Sequence, residues 1–366
     1  MRKKRVVVAM SGGVDSSVTA ALLKEQGYEV IGLTMNLWSS DKLANRANRY
    51  RGCCGLRAMR DANQVAIKLK IPHYVADFRD IFNKTVIADF CREYNQGRTP
   101  NPCIRCNQYI KFEAMLKKSK KLEADFIATG HYARIEYGIK RKRYLLKKGI
   151  DSKKDQSYVL YAMTQDQLSQ TLMPLGNLTK KEVREIARKL DLPVAEKSES
   201  QEICFIPDNN YPQFLKNFIP EAAKPGLIIN RKGVVLGKHK GIIFYTIGQR
   251  RGLGISAKEP LYVISIDKSK NTIVVGSKEE VYSQEFTVSD INWIAWDKIE
   301  KSFRAKVKIR YIHQEAEAAI TLLNDNQALV KFIQPQRAIT SGQAAVFYDG
   351  DVVIGGGTIE KVESMK

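Results

Sequence analysis

An α/β domain built on a parallel sheet, followed by two mostly β domains, is the architecture this sequence predicts. Three observations carry that expectation. From residue 5 to about 135, short β-branched runs alternate with helical patterns, as in a parallel sheet wrapped by helices. The apolar runs are continuous rather than alternating, as burial on both faces of a sheet demands. From about residue 224 the pattern changes to short alternating strands separated by turn residues.

In chain order, VVVAM at 6–10 predicts the first strand and TAALLKEQGY at 19–28 a helix ending near Gly27. EVIGLTMNL at 29–37 predicts the second strand, and MRDANQVAIKLKI at 59–71 another helix. HYVADF at 73–78 and DFIATGHY at 125–132 predict later strands. The span 151–203 is helical and polar, and LTKKEVREIARKLDL within it reads as an amphipathic helix opened by a Thr179 cap. Turn residues then recur as NRKG at 230–233, DKSKN at 267–271, NDNQ at 324–327 and DG at 349–350. YVISIDKSKNTIVVG and AAITLLNDNQALVKFI each predict a hairpin. Boundaries near 205 and 282 give three domains, 1–204, 205–281 and 282–366.

With 366 residues, 44% hydrophobic and 27% charged, the chain is long enough to bury several cores. Lys and Arg number 60 against 39 Asp and Glu, a formal net charge of +21, which points to a polyanionic partner. A solubilising charge is the plain alternative, but acidic residues serve that purpose better. No stretch approaches the roughly 20 apolar residues of a membrane span, so a soluble protein is expected. The apolar run in MRKKRVVVAMSGG is too short for a signal-peptide core and runs straight into glycines. Six cysteines without a secretion signal fit a reducing compartment, and a cytoplasmic location is expected.

The sharpest local signal is SGGVDSS at 11–17, between the first strand and the first helix. Backbone amides of Gly12, Gly13 and Val14, with the helix N-terminus, would cradle phosphate oxygens. Ser11, Ser16 and Ser17 add hydroxyls, and Asp15 could hold the Mg2+ that accompanies a pyrophosphate. Any strand-to-helix turn favours Gly, Ser and Asp as caps, but six such residues among seven positions exceed what capping needs. The loop lacks the Lys of GxxxxGK[ST] and is not GxGxxG. It resembles the PP-loop of ATP pyrophosphatases, which implies adenylation of a substrate with release of AMP and pyrophosphate.

Residues 97–112 read GRTPNPCIRCNQYIKF, with Cys103 and Cys106 in a CxxC behind two stiffening prolines. Cys204 stands far away in SESQEICFIP. A lone CxxC is equally a metal half-site or a redox pair. Adenylation combined with two separated cysteine loops points to sulfur transfer, which needs one thiol to carry the atom and another to release it. SGGVDSS, GRTPNPCIRCNQYIKF, ATGHYAR, KKDQSYVLY, ICFI and TIGQRRGLGI occur in this order, and together they resemble the bacterial tRNA-specific 2-thiouridylase family.

That resemblance implies a PP-loop N-terminal domain of the adenine nucleotide alpha hydrolase-like kind, a small mostly β central domain and a C-terminal β-barrel. It implies ATP-dependent 2-thiolation of the wobble uridine of Glu, Gln and Lys tRNAs in the cytoplasm. Carried over by position, the catalytic pair falls on Cys106 and Cys204. Cys204 would take a persulfide from a cysteine desulfurase or sulfur-relay protein, and Cys106 would release the sulfur. ATP would contact Ala9, Met10, Ser11, Gly12, Gly13, Val14, Asp15, Ser16 and Met35, with Gly130 closing its site. The target base would meet Asn101, Pro102 and Cys103. His131, Lys154, Asp155, Gln156, Arg310, Tyr311 and Gln343 fall on tRNA-contacting positions, and a monomer is expected.

One departure matters. Many members of that family carry Asp where this chain has Cys103, and that Asp has been assigned acid/base work. Cys103 either substitutes as a thiol acid or joins Cys106 and Cys204 as three ligands of a [4Fe-4S] cluster. Adjacent Cys53 and Cys54 read as structural, and Cys91 in VIADFCREY as packing. Histidines at 73, 131, 239 and 313 match no zinc spacing. The basic runs at 117–121 and 140–143 read as phosphate contacts or as solvated faces. A non-catalytic tRNA-binding protein and a small-molecule ligase remain the rival readings.

Overall fold

The computed structural model describes residues 2–37, 55–199, 203–206, 210–297 and 299–363. Strands β1 (Arg5–Ala9), β2 (Glu29–Asn36), β3 (His73–Asp77) and β4 (Phe126–Ala128) belong to one sheet. The hairpin β5 (Ala133–Gly138) and β6 (Arg143–Lys148) lies outside it, and β7 (Thr171–Leu172) completes it. Its order is β3-β2-β1-β4-β7, with every pairing parallel. Alternate residues of β1 feed two cores: Val7 and Ala9 face the layer containing Phe82, Phe90 and Phe112, while Val6 and Val8 face that of Val18 and Leu23. Burial on both faces is why these strands read as unbroken apolar runs.

The structure departs from the expected elements in three places. Helix α1 (Val14–Glu25) begins five residues before the predicted start, because half of SGGVDSS forms its first turn. Gly13 is its extended N-cap, and the hydroxyls that made the stretch look like a loop bond back to helix carbonyls. The strand expected over 125–132 contracts to Phe126–Ala128. HYVAD is the sheet edge rather than an interior strand, with Tyr74 and Val75 each 52% exposed. Helix α2 (Leu56–Leu69) and the Thr179 cap agree with the sequence reading, the cap completed by the Thr179 amide donating back to the Glu182 carboxylate.

Beyond the first sheet, β8 (Gly226–Asn230), β9 (Val235–His239), β10 (Tyr262–Asp267) and β11 (Thr272–Gly276) form a four-stranded sheet in the order β10-β11-β8-β9. The last six strands are β12 (Tyr282–Trp293), β13 (Ser302–Lys308), β14 (Ala316–Asn324), β15 (Gln327–Arg337), β16 (Ala344–Asp349) and β17 (Val352–Glu363). They close into a barrel, because β12 pairs with both β15 and β17. Phe286, Val307, Ile320, Phe332, Phe347 and Ile354 fill it. Both predicted hairpins form, as β10–β11 and β14–β15.

The barrel is fastened to the first sheet's surroundings by specific bonds. The β5–β6 hairpin adds to β17 through Val352 and Lys147. Buried Tyr158 donates its hydroxyl to the Ala344 carbonyl at 2.9 Å. Arg98 spans Glu93 at 2.7 Å and Glu360 at 2.5 Å. These contacts hold the barrel against the stretch that precedes Cys103.

Candidate active site

The SGGVDSS loop begins where β1 ends. Ala9 and Met10 are buried there, Met35 lies beside them on β2, and the Thr34 hydroxyl donates to the Met10 carbonyl at 2.8 Å. Gly12 has φ +66°, and a Cβ on it would stand 2.2 Å from the Ala58 carbonyl oxygen. Only glycine satisfies both demands. The Ser11 amide donates to the Ser16 hydroxyl at 3.2 Å. A Cβ on Gly130 would stand 2.8 Å from the Ser16 amide nitrogen, so the loop after β4 lies directly against the start of α1. The opening turn of a helix at the carboxyl edge of a parallel sheet favours an anion, through its amides and its dipole.

Asp15 is held from two sides. Its carboxylate accepts from the Lys180 ammonium at 2.7 and 2.8 Å and from the Tyr132 hydroxyl at 2.7 Å. Burial and the neighbouring Asp15 keep the Tyr132 phenol protonated. Lys180, 11% exposed, also meets Glu199 at 2.9 Å, and Glu199 meets Lys154 at 2.6 Å. Burial works against ionising Glu199, but the two ammonium groups bring its carboxyl below the ordinary range. A chain of charges thus runs from the SGGVDSS loop to a residue five positions before Cys204. Lys197 adds a second tie, donating to the Gly12 carbonyl at 2.8 Å and pairing with Asp61.

The cysteine loop is built on a capped helix start. The Asn101 side chain accepts from the Cys103 amide at 3.1 Å, and Pro102 occupies the first turn, where a missing N–H costs nothing. The helix widens to π winding over Cys106–Ala114. Cys106 is therefore at the junction of the two windings, a distortion that recurs at functional sites. Asn107 anchors that turn through the Val159 carbonyl at 2.9 Å, and Arg105 meets Asp89 at 3.3 Å. Cys103 is exposed, while Cys106 and Cys204 are half-buried. Phe205 fixes the Cys204 segment among Phe82, Phe90 and Phe214, with ring centroids 5.4 to 5.5 Å away.

The Tyr311 ring stands 6.3 Å from that of Tyr158, next to the Val159 carbonyl that holds Asn107. Burial raises the Tyr311 phenol, and Asp155, Cys103 and Glu199 act on it in the same direction. Asp155 in turn orders its own loop, accepting from the Gly149 and Ser157 amides at 3.1 Å. Gln156 accepts from the Tyr132 amide at 3.0 Å. Cys91 is buried and its thiol is pushed up to about 11, as an inert packing residue requires. Cys53 and Cys54 lie outside the described residues. Among the described residues no group of three or more His, Cys, Asp or Glu side chains is set to hold a metal ion. Cys103, Cys106 and Cys204 form no such group among the described residues.

Two residues expected at the tRNA surface, Arg310 and Gln343, also have side-chain donors engaged within the protein. The Arg310 guanidinium donates to the Ala338 carbonyl at 2.8 Å and to the Thr340 hydroxyl at 2.5 Å. Gln343 donates to the Thr99 carbonyl at 2.7 Å, pinning the cysteine loop to the barrel. In the run 140–143, Arg143 bonds Ile294 and Asp297 while Arg141 pairs with Asp349. Sequence reasoning passed over Lys180, Tyr132 and Glu199, because nothing local marks them.

His131 is buried, with Nδ1 2.7 Å from the Thr129 hydroxyl and Nε2 3.4 Å from the Lys111 ammonium. Burial and that ammonium hold it neutral, well below the ordinary value of 6.5. The unfolded chain therefore takes up the proton first, so this contribution to stability is present above 6.5 and is lost as pH falls below it. The urea midpoint should drop between about pH 7.5 and about 5.5, and His131→Gln should lessen the drop. An identical pH dependence in the variant would contradict this.

Family profiles match three successive stretches of the chain. They are described as a tRNA methyl transferase HUP domain over 4–208, a tRNA methyl transferase PRC-barrel domain over 212–277 and an aminomethyltransferase beta-barrel domain over 283–359. The tRNA-specific 2-thiouridylase MnmA of Acetivibrio thermocellus is 54% identical over 360 residues, covering 98% of this chain and 100% of that one. The MnmA 1 protein of Caldanaerobacter subterraneus subsp. tengcongensis is 55% identical over 357 residues, covering 98% of each. The Clostridium botulinum MnmA is 51% identical over 362 residues, covering 99% of each.

Proposed function

The chain belongs to the tRNA-specific 2-thiouridylase family, and from that premise we propose how its own residues replace the C2 oxygen of a wobble uridine in Glu, Gln and Lys tRNAs with sulfur. ATP binds at Ala9–Ser16 with Met35 and Gly130 around it, and the uridine C2 oxygen attacks the α-phosphate, expelling pyrophosphate. Asp15 would hold the Mg2+ that arrives with ATP, which neutralises charge on the departing pyrophosphate. A carboxylate oxygen suits that ion, and Lys180 must yield part of its hold on Asp15.

Asn101, Pro102 and Cys103 receive the activated base. Cys204 accepts a persulfide from a cysteine desulfurase or relay protein. The Cys106 thiolate attacks the Cys204 sulfur, forming a Cys106–Cys204 disulfide and freeing hydrosulfide. Hydrosulfide adds to C2, AMP leaves with the former oxygen, and an external thiol reduces the disulfide. Cys103 serves as a thiol acid beside the reacting carbon. Lys154, Asp155, Gln156 and Tyr311 line the RNA side, where Arg310, Gln343 and His131 shape the surface from beneath. We further assign domains of 1–204, 205–281 and 282–366, a monomer, and a cytoplasmic location. Among the described residues no helix is long and apolar enough to cross a membrane.

The observation that carries this reading is the run Asp15, Lys180, Glu199, which links the SGGVDSS loop to a residue five positions before Cys204 in the sequence. Adenylation and sulfur delivery are two chemistries that a single site must coordinate. Mass analysis of tRNA incubated with the protein, ATP, cysteine and a cysteine desulfurase should show a sulfur-for-oxygen gain on uridine. Bound but unmodified tRNA would instead support a non-catalytic RNA-binding protein.

A further inference from the structure

Among the described residues, no large apolar side chain is more exposed than Ile312, at 91%. It occupies the second central position of a turn closed by the His313 amide on the Arg310 carbonyl at 3.1 Å. Its φ is not positive, so a turn of this kind accepts most residues and isoleucine is unstrained there. A single exposed isoleucine is ordinary. This one is different in how it is held.

Both flanks of the turn are fixed. Arg310 is bonded to Ala338 and Thr340, and His313 Nε2 stands 3.2 Å from the Gln336 side-chain oxygen. Neighbouring Tyr311 has the Lys308 ammonium 5.8 Å from its ring centroid and the Tyr158 ring at 6.3 Å. Tyr158 leads into Val159, whose carbonyl accepts from the Asn107 side chain at 2.9 Å, one residue past Cys106. The barrel therefore presents one braced apolar tip to solvent, one residue from the side chain that packs on the segment bonded to the cysteine helix.

Resting on the thiolation reading, we propose that Ile312 is the wedge that enters the anticodon stack when the target uridine is drawn out toward Cys103. Enzymes that act on a base take it out of its stack. An apolar side chain inserted at the vacated step is the common way to hold the opening. Ile312 touches neither ATP nor the reacting carbon, so it is a positioning residue.

The test uses the full-length protein and an anticodon stem-loop carrying 2-aminopurine next to the target uridine. Wild type should raise the 2-aminopurine fluorescence on binding and form 2-thiouridine. Ile312→Ala should lose most of that rise and fall about 10- to 100-fold in kcat/KM for the stem-loop, with ATP affinity unchanged. Ile312→Met should restore both. A fluorescence rise that survives in Ile312→Ala, or a rate within about twofold of wild type, would overturn the wedge. Wild type that forms no 2-thiouridine would overturn the thiolation reading itself, and the wedge with it.

Discussion

Cys204→Ser and Cys106→Ser should each abolish 2-thiouridine formation while leaving pyrophosphate release during a first turnover intact. Serine keeps the size of cysteine but neither carries a persulfide nor attacks one, so the sulfur has no route to C2. Neither change touches the nucleotide loop, where Asp15 is held by Lys180 and Tyr132. Both thiols are half-buried against the main core, which makes serine a milder probe than alanine. Cys103 separates the roles further. It is exposed at the first turn of its helix, and Cys103→Ala should slow thiolation by about 10²- to 10⁴-fold, the range for loss of a general acid, without ending it. Chromatography of digested tRNA measures the thionucleoside, and a coupled assay measures pyrophosphate. Thiouridine made by the Cys204→Ser protein would refute the persulfide route.

Much of this arrangement was legible in the sequence because local chemistry imposes it. The continuous apolar runs at Arg5–Ala9 and Glu29–Asn36 announced strands buried on both faces. The cap at Thr179 and the hairpin turns before Thr272 and Gln327 were readable from side chains that bond their own backbone. SGGVDSS was readable as an anion loop but not as the beginning of a helix, since its serines favour both states. What the sequence could not disclose is pairing across long separations. Lys180 sits in a helix start that looks like any basic surface turn, yet its partner Asp15 is 165 residues earlier. Arg310 was legible as a cation of the tRNA side, but its bonds to the Ala338 carbonyl and the Thr340 hydroxyl were not. The barrel closes by β12 reaching β17, a contact that no local pattern encodes.

Asp15→Asn should lower pyrophosphate release by about 10²- to 10³-fold, the loss seen when one preorganised charge is removed from a reacting centre. tRNA affinity should hold within about twofold, because binding rests on the distributed basic surface behind the +21 charge. Asparagine retains an acceptor for the Tyr132 hydroxyl at 2.7 Å, and Lys180 keeps Glu199 at 2.9 Å, so no buried ammonium is stranded. The fold should therefore survive. A second variant separates Asp15 acting on the nucleotide from Asp15 acting as an anchor for Lys180. If the carboxylate serves only as that anchor, Lys180→Met should cost as much pyrophosphate release as Asp15→Asn. If it serves the nucleotide, Lys180→Met should keep the greater part of pyrophosphate release and instead impair sulfur delivery, through Glu199 and the Cys204 segment. Equal losses of pyrophosphate release in the two variants would remove Asp15 from direct contact with the nucleotide and leave Lys180 as the residue that matters.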